Sequence, residues 1–160
     1  VRRAVGAGVS TLVGHTADKR EVHLLTFGPG PYPPHVSNKH ASRMLALAVE
    51  VAVWSSCPEG KQHGCIMAVD GKYVVATGYN GVSRSAEACG TCCYDHFQAG
   101  CGAVHAEVNA VINAARVGAQ LGRCFAFVTK RPCEPCQRVL DNAGVRGVYY
   151  LCDAREAPGG

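Results

Sequence analysis

The spacing of hydrophobic positions changes several times along this chain, and each change marks an element. From Ser37 onward Met44, Leu45, Leu47, Ala48, Val51, Ala52 and Trp54 recur at helical intervals behind a Ser37 or Asn38 cap. This predicts a first helix that lays one apolar face on a sheet. Residues 64–69 and 73–77 are two β-favouring runs separated by Asp70-Gly71-Lys72, and Asp-Gly between such runs predicts a hairpin. Residues 103–116 hold neither Gly nor Pro, carry Val104, Val108, Val111, Ile112 and Ala115, and precede Gly118, which predicts a buried second helix. Residues 125–129, 133–143 and 147–151 then read as strand, helix and strand. A β-α-β run implies a parallel pair. The expected fold class is α/β, a three-layer α/β/α sandwich around a mixed sheet, with no internal repeat.

Ahead of the first helix the pattern is weaker. Residues 1–38 are rich in Gly and Pro, and the run Gly28-Pro-Gly-Pro-Tyr-Pro-Pro34 sustains neither a helix nor a central strand. This part is read as an N-terminal extension with at most one strand near residues 21–27, and residues 39–160 as the folded domain. The two arginines near the start raise a targeting peptide, but Gly6, Gly8 and Gly14 weaken its apolar region, so a flexible tail is expected.

Composition narrows the class. With 48% hydrophobic and 18% charged residues in 160, one soluble globular domain is expected, and no apolar run reaches the roughly 18 residues of a membrane span. A net charge of +4 without a basic block gives no argument for a polynucleotide partner, and a nucleotide-sized anion fits this balance at least as well. Ten cysteines would suggest disulfides in a secreted chain. Here Cys133 and Cys136 form a C-x-x-C pair, and Cys89, Cys92, Cys93, His96 and Cys101 crowd into thirteen residues. That spacing favours zinc in a reducing, cytoplasmic compartment.

His105-Ala-Glu107, twenty-four intervening residues and Pro132-Cys133-Glu-Pro-Cys136 match the H-x-E…P-C-x-x-C signature of zinc deaminases. One imidazole and two thiolates leave the fourth position of a tetrahedral zinc open, the arrangement of a catalytic site. His105, Cys133 and Cys136 are thus the expected ligands. Glu107, two residues from a ligand, is the expected proton shuttle for attack of water on an amino-substituted ring.

Further residues carry a resemblance: Ala76-Thr-Gly-Tyr-Asn80-Gly81, Cys101…His105-Ala-Glu107-Val-Asn109-Ala110, Val128-Thr129…Pro132-Cys133…Cys136, and Asn142-Ala-Gly144-Val145 before Val148-Tyr-Tyr150. Over about residues 40 to 152 the chain resembles the dCMP deaminase branch of the cytidine deaminase superfamily. The resemblance implies hydrolytic deamination of dCMP to dUMP with release of ammonia. It also implies that Asn80 meets the nucleotide sugar and base, that the Ala106 backbone meets the pyrimidine, and that the phosphate meets the loop after Gly81, with Arg84 as the candidate. Without the family, Tyr79-Asn80-Gly81 is a good turn and Arg84 a solvated side chain.

Some members of the branch hold a second, structural zinc, and this chain has Cys57 and Cys89 in the matching regions, with Cys93 and His96 as two further ligands. Cys92 and Cys101 compete for the same roles, and a loop of free thiols is the alternative. The resemblance also implies a homo-oligomer, a hexamer, with dCTP and dTTP as effectors. Two departures stand out. Gly102-Ala103-Val104 precedes His105 where the family often has a basic residue, and the chain ends soon after its fourth core strand where the family has a fifth. Either a strand from the extension takes that place or the sheet is shorter.

Two other functions fit parts of the pattern. A polynucleotide deaminase, acting on tRNA adenosine or single-strand cytidine, needs a basic channel with stacking aromatics, and aromatics are only 7% of this chain. A non-catalytic zinc-stabilised binding module has no use for Glu107 beside the metal.

Overall fold

A computed structural model describes residues 9–27, 36–86 and 102–152. Its elements are β1 (Val9–His15), β2 (Glu21–Thr26), α1 (Asn38–Ala52), β3 (Gly64–Val69), β4 (Tyr73–Tyr79), β5 (Gly81–Val82), β6 (Ala103–Val104), α2 (Ala106–Arg116), a 3-10 turn at Leu121–Arg123, β7 (Cys124–Val128), α3 (Glu134–Asn142) and β8 (Val148–Cys152). Six strands form one sheet in the order β1-β2-β8-β7-β3-β4, and β5 pairs with β6 separately. β7 and β8 are parallel, as the β-α-β reading requires, and the other neighbours in the large sheet run antiparallel. The mixed sheet between helical layers is the α/β sandwich expected.

The local signals act as their chemistry dictates. The Ser37 hydroxyl accepts from the His40 N–H at the start of α1. Asp70 and Gly71 both take positive φ, 51° and 70°, in the turn between β3 and β4. Alternation along the strands divides the core. Ile66, Ala68, Phe127, Tyr149 and Leu151 meet Ala41, Leu45, Ala48 and Val51 of α1 on one face. Cys65, Met67, Ala126, Val128 and Tyr150 meet Ala106, Ala110 and Ala114 of α2 and Leu140 of α3 on the other. Two glycines set how closely the helices approach. A Cβ at Gly64 would fall 2.0 Å from the Ala48 carbonyl oxygen of α1, and one at Gly78 would fall 2.3 Å from the Ala106 carbonyl oxygen of α2.

Two sequence expectations are corrected. The first 38 residues were expected to hold at most one strand, yet β1 and β2 form a hairpin. β2 lies antiparallel to β8, from Leu25↔Val148 to Glu21↔Cys152, so it covers the edge where the missing fifth strand was expected. Its Val22 and Leu24 reach the α1 face while Leu25 reaches the other, so burial on both sides holds it there. The second correction is the start of α2. Ala103 and Val104 are extended and pair with Val82 and Gly81, so the helix begins at Ala106. Among the described residues no helix is long and apolar enough to cross a membrane.

Candidate metal and catalytic site

α2 and α3 begin on the same face of the sheet, and each begins with an expected ligand. His105 is the N-cap of α2 and Cys133 the N-cap of α3, both in extended backbone and both without a side-chain capping hydrogen bond. An uncapped helix start costs about 0.5–2 kcal/mol relative to a good cap. These two side chains turn instead toward each other. His105 Nδ1 lies 3.5 Å from Cys133 Sγ and 3.4 Å from Cys136 Sγ. The three donor atoms all lie within 4.8 Å of one another. Cys136, in the first turn of α3, is buried, and the positive helix ends favour thiolates at this point. One imidazole and two thiols in a cluster of this size fit three of the four positions of a tetrahedral zinc.

Glu107 sits in the first turn of α2 with only 6% of its surface exposed. Burial pushes its carboxyl above the ordinary value, opposed by its backbone N–H and by a hydrogen bond with Cys136. Burial also pushes the Cys136 thiol up, with the Glu107 charge and Cys133 adding to it. Beneath them burial raises the Cys65 thiol, and Glu107 raises it further. The cluster thus concentrates acidic groups that suppress one another's ionisation, an environment that a divalent cation relieves.

The site is held by α2 against β4. Asn109 donates Nδ2 to the Tyr79 carbonyl at 2.8 Å, and Asn113 donates to the Thr77 carbonyl at 2.8 Å. The β5–β6 pairing brings Gly81 opposite Val104, the residue before His105. Ala106 follows His105 and is fully buried.

Asn80, next to Gly81, is 3% exposed and tied to residues 55–63. Its Nδ2 donates to the Lys61 carbonyl at 2.8 Å and to Cys57 Sγ at 3.3 Å. Its Oδ1 accepts from the His63 N–H at 2.7 Å, and its carbonyl accepts from the Ser55 hydroxyl at 2.6 Å. Sequence reasoning missed this framework role, because the partners are backbone groups that no motif marks. Arg84 is exposed in the turn after β5. Of the expected second-zinc ligands, Cys57 is half-buried against Asn80, while Cys89, Cys93 and His96 lie outside the described residues. Among the described residues, Cys57, Cys65, Cys124, Cys133, Cys136 and Cys152 form no disulfide.

A second cluster had no counterpart in the sequence reading. Glu21, His23 and Cys152 also bring three donor atoms within 4.8 Å of one another. The signal lay in the alternation Glu21-x-His23, but Cys152 joins it only through the β2–β8 register.

The family model for the cytidine and deoxycytidylate deaminase zinc-binding region matches residues 38–152. A deoxycytidylate deaminase of Mycobacterium phage D29 is 32% identical over 121 residues, 66% of this chain and 89% of the phage protein. ComE operon protein 2 of Bacillus subtilis (strain 168) is 31% identical over 117 residues, and the match spans 71% of this chain and 60% of that protein. Among solved structures, the dCMP deaminase of cyanophage S-TIM5 in complex with dCMP and dUMP matches with a TM-score of 0.60 at 23% identity. That match covers 69% of this chain and 79% of the cyanophage chain, and supports the fold. The chain therefore belongs to the cytidine and deoxycytidylate deaminase family, a family of zinc-dependent hydrolytic enzymes.

Proposed function

We propose that this enzyme deaminates dCMP to dUMP, releasing ammonia. The observation that carries the chemistry is the meeting of two helix starts, where His105, Cys133 and Cys136 converge beside buried Glu107. The substrate follows the relatives named deoxycytidylate deaminase. His105, Cys133 and Cys136 would hold the zinc, which when bound supplies a water acidified to a pKa of roughly 7.

Glu107 would accept a proton from the attacking water as the water's oxygen adds to C4 of the cytosine ring, and deliver it to ring N3. It then takes the remaining hydroxyl proton and passes it to the departing amine, so that one water is consumed and one ammonia leaves. A buried carboxyl with a raised affinity for protons suits a group that must hold a proton between two transfers. General acid–base help of this kind contributes about 10²–10⁴-fold.

In this reading the Ala106 backbone meets the pyrimidine. Asn80 shapes the wall of the nucleotide site through its bonds to residues 57–63 and offers the second Oδ1 lone pair to the nucleotide. Arg84 supplies the cation for the phosphate. A structural zinc on Cys57, Cys89, Cys93 and His96, a hexameric assembly with dCTP and dTTP as effectors, and a cytoplasmic setting belong to the same reading. The substrate class is tested by ammonia release from dCMP, deoxycytidine, dCTP and a single-stranded oligonucleotide. The reading expects preferential turnover of dCMP, and turnover of the oligonucleotide alone would overturn it.

A further inference from the structure

The sheet carries a second set of side chains able to hold a metal, outside the motif. β2 and β8 pair so that Glu21 faces Cys152 and His23 faces Tyr150. Alternation sends Val22, Leu24, Tyr149 and Leu151 to the α1 face. Glu21, His23, Tyr150 and Cys152 therefore share the opposite face. His23 and Cys152 are 7% and 6% exposed, and the Glu21 side chain is 26% exposed. His23 Nε2 stands 2.9 Å from Glu21 Oε2. The imidazole is stacked on Tyr150 at 5.4 Å between centroids, and the Tyr150 hydroxyl is 2.6 Å from Ser10 Oγ on β1. The ring is thus held in one orientation by a partner that is itself anchored.

We propose that Glu21, His23 and Cys152 form a metal site of their own, for zinc or a divalent ion of similar borderline character, that fastens the N-terminal hairpin to the last strand. One carboxylate oxygen, one imidazole nitrogen and one thiol sulfur form a mixed donor set that zinc accepts and that Mg²⁺ and Ca²⁺, which prefer oxygen, do not. The donor atoms lie within 4.8 Å of one another, as those of His105, Cys133 and Cys136 do. A zinc tetrahedron has edges of roughly 3.3–3.6 Å from its bond lengths, so small side-chain movements close the site. The partly exposed Glu21 side leaves the fourth position to water. A buried His–Glu pair by itself contributes little to stability, whereas a metal cross-link between strands so distant in sequence stabilises the folded state by its whole binding free energy. The site shares no residue with the first cluster, nor with the cysteines expected to hold a structural zinc, and each alternative carries more than one thiolate.

That difference supplies the test. The full chain is loaded with ¹¹³Cd and its cadmium resonances recorded, alongside the zinc count by native mass spectrometry for wild type, Cys152→Ser and His23→Gln. We expect a resonance of single-thiolate character beside that of the two-thiolate site, and its loss in Cys152→Ser. Each variant should hold one zinc fewer per chain while keeping the wild-type circular dichroism spectrum, which is the readout of correct folding. A saturated wild type with no single-thiolate resonance would overturn the proposal even if a variant failed to fold. So would an unchanged zinc count in folded Cys152→Ser, and Glu21 and His23 would then share only their hydrogen bond. Failure of the substrate reading would appear separately, as absent turnover in a protein whose metal count is intact.

Discussion

His105 Nδ1 lies 3.4 Å from Cys136 Sγ although 31 residues separate them. The contact exists because α2 and α3 begin at neighbouring points on one face of the sheet, each at an uncapped N-terminus. Removing the metal should therefore leave an acidic, mutually repelling cluster at two frayed helix starts. Chelation of the isolated protein is expected to abolish turnover and lower the melting temperature, and added zinc to restore both. Cys136→Ser should lose the catalytic zinc, as read by metal content. Full activity after complete chelation would remove the metal from the account.

The approach of α2 to β4 depends on Gly78. A Cβ there would sit 2.3 Å from the Ala106 carbonyl oxygen and 2.4 Å from the Ala110 nitrogen, both backbone atoms that cannot rotate away. Gly78→Ala must push the helix outward and carry His105 and Glu107 with it. Overpacking of this kind costs typically about 1–3 kcal/mol or more. Urea unfolding should show that loss, and turnover measured well below the new melting temperature should also fall. A variant with wild-type stability would mean that the helix has more freedom than this contact allows.

Asn80 is the polar centre that ties the end of β4 to residues 55–63. Asn80→Ala removes the hydrogen bonds that its side chain makes to the Lys61 carbonyl and the His63 N–H, both part-buried. Losing such bonds costs about 0.5–1.5 kcal/mol apiece. The variant is expected to unfold at lower denaturant concentration and to bind dCMP more weakly. An unchanged unfolding midpoint would contradict the framework role.

Burial pushes the Tyr149 phenol above its ordinary value, with the Val36 N–H bond acting weakly the other way. In the unfolded chain this tyrosine ionises near pH 10. Above that pH the unfolded state releases a proton that the folded state keeps, so stability falls as pH rises, and below it the contribution is fully present. Tyr149→Phe should flatten the alkaline limb of the stability profile while costing about 1 kcal/mol at neutral pH for the lost hydrogen bond. Equal alkaline slopes in the two proteins would assign that limb to another group.

How much of this was legible in the sequence depended on how local the signal was. The Asp70-Gly71 turn, the Ser37 cap and the apolar period of α1 are written within a few neighbouring residues. The His105, Glu107, Cys133 and Cys136 set was legible because its chemistry dictates spacing. β1 was not, since Val9, Thr11, Leu12 and His15 remain exposed on an edge strand and Gly14 breaks its alternation. Nor was the extended start at Ala103 and Val104, whose helical composition yields to pairing with β5. The Asn80 side chain bonding to three separate residues and Cys152 beside His23 are products of tertiary assembly, which local sequence does not supply.

The central claim is that Glu107 moves protons beside a zinc that it does not hold. Ammonia release from dCMP, measured for wild type and Glu107→Gln with zinc content determined on the same samples, tests it most directly. The account predicts that the variant keeps its catalytic zinc and loses turnover by about 10²–10⁴-fold. A zinc-replete Glu107→Gln protein that turns over dCMP at the wild-type rate would contradict it.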